Sequence, residues 1–194
     1  MTAMPLSDHR TFSPSVGKGA QRINVIQGDY AVSGNAGDVL TTVLGSCVAT
    51  CLFDPVAKIG GLNHFLLPGE NNETSCSSES YGLNAMELLI NSLLKQGGKR
   101  NRLKAKIFGG ARMIRGLSVV GKQNGAFATE FLAFEGIPCV SKSLGGDLAR
   151  RLRFWPTTGR VQMKYIADIA SVAVAIPKKP MPVEARGASN LEIF

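Results

Sequence analysis

Residues 39–68, VLTTVLGSCVATCLFDPVAKIGGLNHFLLP, decide how this chain is read. Residues 48–53 and 59–67 are β-prone apolar runs. Asp54-Pro55 between them is a turn signal, because proline fixes φ and aspartate bonds nearby backbone donors. The pattern predicts an antiparallel hairpin. If Phe53 pairs with Lys58, Cys47 faces His64; if Phe53 pairs with Ile59, His64 faces Val48. Directly opposed residues have Cβ atoms roughly 5 Å apart, and diagonal neighbours stay within reach of a long side chain. Either register leaves the imidazole of His64 close to the thiol of Cys47.

That proximity has chemical content. A free cysteine has a pKa of about 8.5, so little of it is thiolate at neutral pH. An imidazole that takes the thiol proton produces a nucleophile for an acyl carbon. Gly45 admits a close approach of backbone to substrate, and N–H groups around Ser46 and Cys47 are placed to hold an oxyanion. The competing reading is structural: a lone cysteine in an apolar strand is usually an inert small hydrophobe. Spacing alone favours that reading, because Cys–His pairs do not transfer between families as motifs.

With 194 residues and 44% hydrophobic content, the chain fits one domain with a real core and two polar tails. Residues 1–20 lack the apolar run of a secretory signal, and the apolar run 166–176 is interrupted by Asp168 and too short to span a bilayer. Cys47, Cys51, Cys76 and Cys139 have neither metal-ligand spacing nor a dense disulfide pattern, which places the protein in a reducing cytoplasm with no membrane insertion. The net charge of +8 admits nucleic acid, an anionic surface or an acidic protein as partner. Basic residues gather at Lys99, Arg100, Arg102, Lys104 and Lys106, and again at Arg150, Arg151 and Arg153. No zinc finger, helix-turn-helix or aromatic RNA-binding pattern interleaves with them, so no nucleic-acid partner is expected. A solvated basic face is the first reading, an acidic protein partner the second.

In chain order, residues 1–20 read as a disordered leader, 21–176 as a single folded domain and 177–194 as a basic flexible tail. Strands are expected at 22–26, 29–33, 39–44, 104–108 and 137–140, with a polar loop carrying Cys76 at 69–80. Leu83, Met86, Leu89, Ile90, Leu93 and Leu94 mark a helix over 81–96, with Ser80 as N-cap and Gly97-Gly98 as its stop. Phe127, Phe131, Leu132 and Phe134 mark a second helix over 124–135. Leu152 and Phe154 alternate with Arg151 and Arg153, a turn follows at 156–159, and Val161, Met163 and Tyr165 alternate in the same way. That is a hairpin. Cys139, in an apolar run, is expected to be inert. The expected class is α+β, with strands that pair largely as hairpins.

Taken together these stretches resemble the CheD family of chemoreceptor glutamine deamidases. The resemblance rests on Gly28-Asp29-Tyr30-Ala31-Val32-Ser33, Leu44-Gly45-Ser46-Cys47-Val48, Asn63-His64-Phe65-Leu66-Leu67-Pro68, Lys106-Ile107-Phe108-Gly109-Gly110-Ala111, Leu144-Gly145-Gly146-Asp147 and Thr158-Gly159-Arg160-Val161, in that order. It implies a β-sandwich of mixed sheets with flanking helices, similar to the catalytic domain of cytotoxic necrotizing factor. It also implies Cys47 as nucleophile, His64 as general base and Thr41 as the residue that orients the imidazole, with Thr42 beside it. Gly121-Lys122-Gln123-Asn124 departs from the family's more usual Gly-Glu-Arg-Asn. The resemblance further implies that the substrate is a glutamine on the cytoplasmic domain of a methyl-accepting chemoreceptor, that no cofactor or metal takes part, and that a CheC-type phosphatase is a further partner.

Overall fold

The computed structural model describes residues 19–67, 78–112 and 118–166. The expected leader up to residue 18, the loop with Cys76 and everything beyond residue 166, including the expected tail, lie outside the described residues.

The strands are β1 (Arg22–Asn24), β2 (Tyr30–Ser33), β3 (Val39–Leu44), β4 (Val48–Asp54), β5 (Ile59–Phe65), β6 (Lys104–Gly109), β7 (Cys139–Leu144), β8 (Ala149–Trp155) and β9 (Arg160–Ile166). The helices are α1 (Ser78–Lys95) and α2 (Ser118–Phe134), with a short 3-10 turn at Arg100–Arg102. Sheet A has the order β1-β3-β8-β9 and sheet B the order β2-β5-β4-β6-β7. Both are mixed, because β1 runs parallel to β3 and β7 parallel to β6. The α+β sandwich of mixed sheets with helices is therefore present. The hairpin expectation is correct for β4–β5 and β8–β9 but misses these parallel pairs.

Burial explains the layering. Sheet A alternates: Leu40, Thr42 and Leu44 of β3 and Leu152 and Phe154 of β8 face inward, while Arg151 and Arg153 face solvent. Every residue of β4 and β5 is buried, so these strands are covered on both faces. On one side Ala49, Cys51, Phe53 and Leu62 meet sheet A; on the other, Val48, Leu52 and Phe65 meet Met86, Leu89 and Ile90 of α1 and Phe131 of α2. α2 starts six residues before its expected position, because Val119, Val120 and Gly121 look unlike a helix by propensity while tertiary packing holds them in one.

The turn between β4 and β5 carries a buried carboxylate. Asp54 accepts the N–H groups of Val56, Ala57 and Lys99 at 2.9, 3.0 and 3.0 Å and the Arg102 guanidinium at 2.7 Å. Burial alone would raise its pKa, but these donors hold it down to about 2. Its stabilising contribution is thus complete above the ordinary carboxylate range and is lost as pH falls through about 2. Removing one partner of a buried ion pair generally costs about 3–5 kcal/mol. Asp54→Ala is expected to lower the unfolding free energy by about 3 kcal/mol in urea melts at pH 7, with a smaller difference from wild type near pH 2.

Candidate active site

The β4–β5 ladder pairs Ala49 with His64, two steps beyond the first register expected from the sequence and one beyond the second. Proximity survives the shift. Cys47 lies two residues before Ala49, in the bend that precedes β4, and residues two apart point to the same face. The thiol and the imidazole therefore meet as diagonal neighbours between the two sheets, with Cys47 Sγ 2.8 Å from His64 Nε2. Ala49, directly opposite the histidine, leaves room for the ring.

The third group is Thr42. Its Oγ1 is 2.9 Å from His64 Nδ1 and donates to the Val25 carbonyl at 2.7 Å. Thr41, to which the resemblance pointed, faces the opposite side of β3, with its hydroxyl 3.4 Å from the Ile23 carbonyl and 3.4 Å from Asn24 Oδ1. The structure brings Cys47, His64 and Thr42 together and leaves Thr41 out. The reason is the period of two: Leu40 and Leu44 are fully buried, so Thr42 between them must point inward as well.

Hydrogen-bond accounting assigns the tautomer. A carbonyl only accepts, so the Thr42 hydroxyl proton is committed to Val25, and its oxygen is free to accept from Nδ1–H. Nε2 then carries the lone pair and faces the thiol. Burial pushes the Cys47 thiol up, against the pull of the backbone N–H groups of Gly45 and Cys47. Burial likewise pushes His64 down to about 4, against the Val25 carbonyl. The resting pair is a neutral thiol and a neutral imidazole, 9% and 6% exposed.

Residues 66–165 match the family described as CheD chemotactic sensory transduction. A protein of Agrobacterium fabrum named "Probable chemoreceptor glutamine deamidase CheD" is 49% identical over 176 residues, 90% of this chain and 97% of its own. One of the same name from a Caulobacter strain is 50% identical over 178 residues, 90% of this chain and 94% of its own. This chain belongs to the CheD family. Among solved structures, YfiH of Bacillus licheniformis is similar over 59% of this chain and 50% of its own, with 13% identity and a TM-score of 0.41.

Further residues hold the site in place. Gly110 N–H donates to the Cys47 carbonyl and Ala111 N–H to the Gly45 carbonyl, both at 2.8 Å, so the segment just after β6 grips both ends of the cysteine's bend. Gly109, at φ 119°, is needed there: a Cβ would collide with the Cys47 carbonyl oxygen. The Gly109-Gly110 pair is thus a packing device. Asn124 of α2, fully buried, accepts the Leu67 N–H at 2.7 Å and donates to the Ser46 carbonyl at 3.3 Å, tying the cysteine's bend to the segment after the histidine. It was legible as the one amide on the inward stripe with Phe127 and Phe131. The Val25 carbonyl had no signal in the sequence.

The other thiols separate by position. Cys51 is fully buried and raised by burial despite Lys106, whereas Cys139, expected to be inert, is exposed on the edge strand β7. Cys76 lies outside the described residues. Among the described cysteines, bulky maleimides are expected to label Cys139 first, with mass mapping as readout; Cys139→Ser should keep full activity.

A hydrogen bond to a charged partner contributes about 1.5–3 kcal/mol, and His64 is charged once the thiol proton has moved, so Thr42→Val is expected to slow turnover about ten- to a hundredfold. Thr42→Ser should restore it, and Thr41→Val should leave kcat close to wild type. Steady-state kinetics of the three variants decide between the two threonines.

Proposed function

We propose that this protein hydrolyses the side-chain amide of chemoreceptor glutamines to glutamate with release of ammonia, as the names of its relatives say of them. The observation that carries this reading is the Cys47–His64–Thr42 chain of hydrogen bonds at 2.8 and 2.9 Å. Cys47 is the nucleophile, His64 the general base and Thr42 the residue that orients it.

As Cys47 Sγ bonds to the carboxamide carbon, its proton passes to His64 Nε2 and the carbonyl oxygen becomes an oxyanion. The N–H groups of Gly45 and Cys47, which interact with the sulfur, offer fixed dipoles for that charge. The imidazolium proton then goes to the amide nitrogen, the C–N bond breaks, ammonia leaves and a thioester remains. Water attacks the thioester carbon while His64 takes its proton, and the proton returns to the sulfur as glutamate departs. Near-complete burial of the pair favours a substrate that offers one long side chain, which a glutamine on a folded helix does.

Among the described residues no helix is long and apolar enough to cross a membrane. Action on the cytoplasmic part of a receptor implies a cytoplasmic enzyme. Binding of a CheC-type phosphatase belongs to the same reading, as a further partner.

The test is incubation of a purified receptor cytoplasmic domain with this protein, followed by ammonia assay and peptide mass spectrometry. Glutamine-to-glutamate conversion at defined sites is expected. Cys47→Ala should fold normally and release none, and His64→Ala should lose about a hundredfold or more. Full ammonia release by Cys47→Ala would overturn the assignment of the nucleophile, whereas a wild-type chain that binds the receptor domain and releases no ammonia would favour a binding role. Because the base must be neutral at the start, the acid limb of kcat/KM should lie near the His64 value of about 4, well below the usual histidine range. Stability should change in step. The unfolded chain takes up the His64 proton first, so stability falls as pH drops from about 6.5 toward 4, and His64→Gln should flatten that decline in urea melts.

A further inference from the structure

Sheet A buries one face in the sandwich and presents the other to solvent. The alternation of β1, β8 and β9 places Arg22, Arg151, Arg153, Arg160 and Lys164 on that outer face, all exposed. Among the described residues none of these cations makes an ion pair with a carboxylate, and the strand positions that share the face carry no acidic residue. Arg151 stands directly opposite Lys164 in the β8–β9 ladder. Like charges directly opposed across a ladder are destabilising, so the fold tolerates an arrangement that a single Lys164→Glu change would relieve. A local rule broken without a gain in packing points to a surface kept for binding.

The cations also have shape. Arg22, Arg151 and Arg153 line a shallow recess of about 230 Å³, with Asn24 and Thr41 as hydrogen-bonding neighbours within it. Thr41, which has no part in the reactive chain, has a place here. Arg160 lies over the Trp155 ring at 4.5 Å, which covers the aromatic on this face that nucleobase stacking would need. Arg151 and Arg153, two residues apart on one strand, are spaced by about 6.5 Å, and carboxylates at i and i+4 of a helix rise by about 6 Å. Arginine is the residue suited to bidentate capture of such carboxylates.

We propose that the outer face of sheet A is a docking surface for an acidic helical segment of the protein substrate, with carboxylates seated between Arg22, Arg151 and Arg153. The identity of the partner rests on the deamidase reading above; the basic recess does not. Thr42 also lines the recess, but its hydroxyl is turned to His64 on the other face of β3, so a segment docked in the recess lies across that strand from Cys47. A segment held at the recess raises the effective concentration of glutamines presented elsewhere on the same partner.

The experiment compares the wild-type full chain, the Arg151→Glu/Arg153→Glu double variant and the control Lys95→Glu on α1, each confirmed folded by circular dichroism. Ammonia release is measured against receptor cytoplasmic domain across a salt series. The expected result is a KM raised about tenfold or more in the double variant with kcat unchanged, a flattened salt dependence, and wild-type behaviour in the control. Binding of the receptor domain to the Cys47→Ala chain, with and without the same double substitution, reads the face independently of catalysis. If wild type releases no ammonia yet binds the receptor domain through these arginines, the deamidase reading fails and the docking surface stands. The proposal is overturned if the double variant keeps wild-type KM and binding, if the control loses as much, or if the face instead binds duplex DNA while receptor affinity is unaffected.

Discussion

One line of hydrogen bonds, from the Val25 carbonyl through Thr42 and His64 to Cys47, joins the two sheets of the sandwich. Thr42 belongs to sheet A and His64 to sheet B, so the reactive geometry is a property of how the sheets pack and of no single hairpin. The inter-sheet core fixes that packing: Leu40 and Leu44 flank the threonine, Leu62 lies two residues from the histidine, and all three are fully buried. Close-packed interiors transmit displacement instead of absorbing it. A substitution that shifts one sheet against the other lengthens the Thr42–His64 contact before it unfolds anything.

The same packing sets the protonation state. An ion pair of thiolate and imidazolium between the sheets would have to be repaid against loss of water on both groups, and burial moves both pKa values toward the neutral forms. Thr42 suits that balance. A carboxylate in its place would favour the imidazolium and promote a standing thiolate, whereas a hydroxyl fixes the tautomer without adding charge. In the proposed mechanism the thiolate then forms only as the proton moves during attack, which keeps a buried cysteine quiet in the absence of a bound amide.

Much of this was legible in the sequence, and the failures have physical causes. The pairing of Cys47 with His64 follows from two β-prone runs and an Asp-Pro turn, and it tolerates an error of register because diagonal neighbours still touch. Residues 39–44, VLTTVL, could not say which threonine points inward, since Val39, Thr41 and Val43 alternate as well as Leu40, Thr42 and Leu44. The arginines of β8 decide it, because Thr41 pairs with Arg153 and Val43 with Arg151 on the wet face, and that pairing is a long-range fact. Cys139 was misjudged for a related reason: an apolar stretch shows β-propensity but not whether its strand is central or at an edge.

The bend that carries Cys47 is held from several directions, and this explains otherwise costly polar groups in the interior. Gly110 and Ala111 grip it from the segment just after β6 and Asn124 from α2. Behind them Arg150, 2% exposed, donates to the carbonyls of Gly109 and Gly145 and lies 5.4 Å from the Tyr165 ring, linking β8 of sheet A to the strand end that supports Cys47. A buried guanidinium is tolerated only where its hydrogen bonds are met, and here backbone carbonyls meet them in place of a carboxylate. A carboxylate so close to the bend would oppose both the developing oxyanion and the loss of the thiol proton. Carbonyl partners satisfy Arg150 and fix the loop without that penalty, so the support of the site favours the charge that the proposed reaction creates.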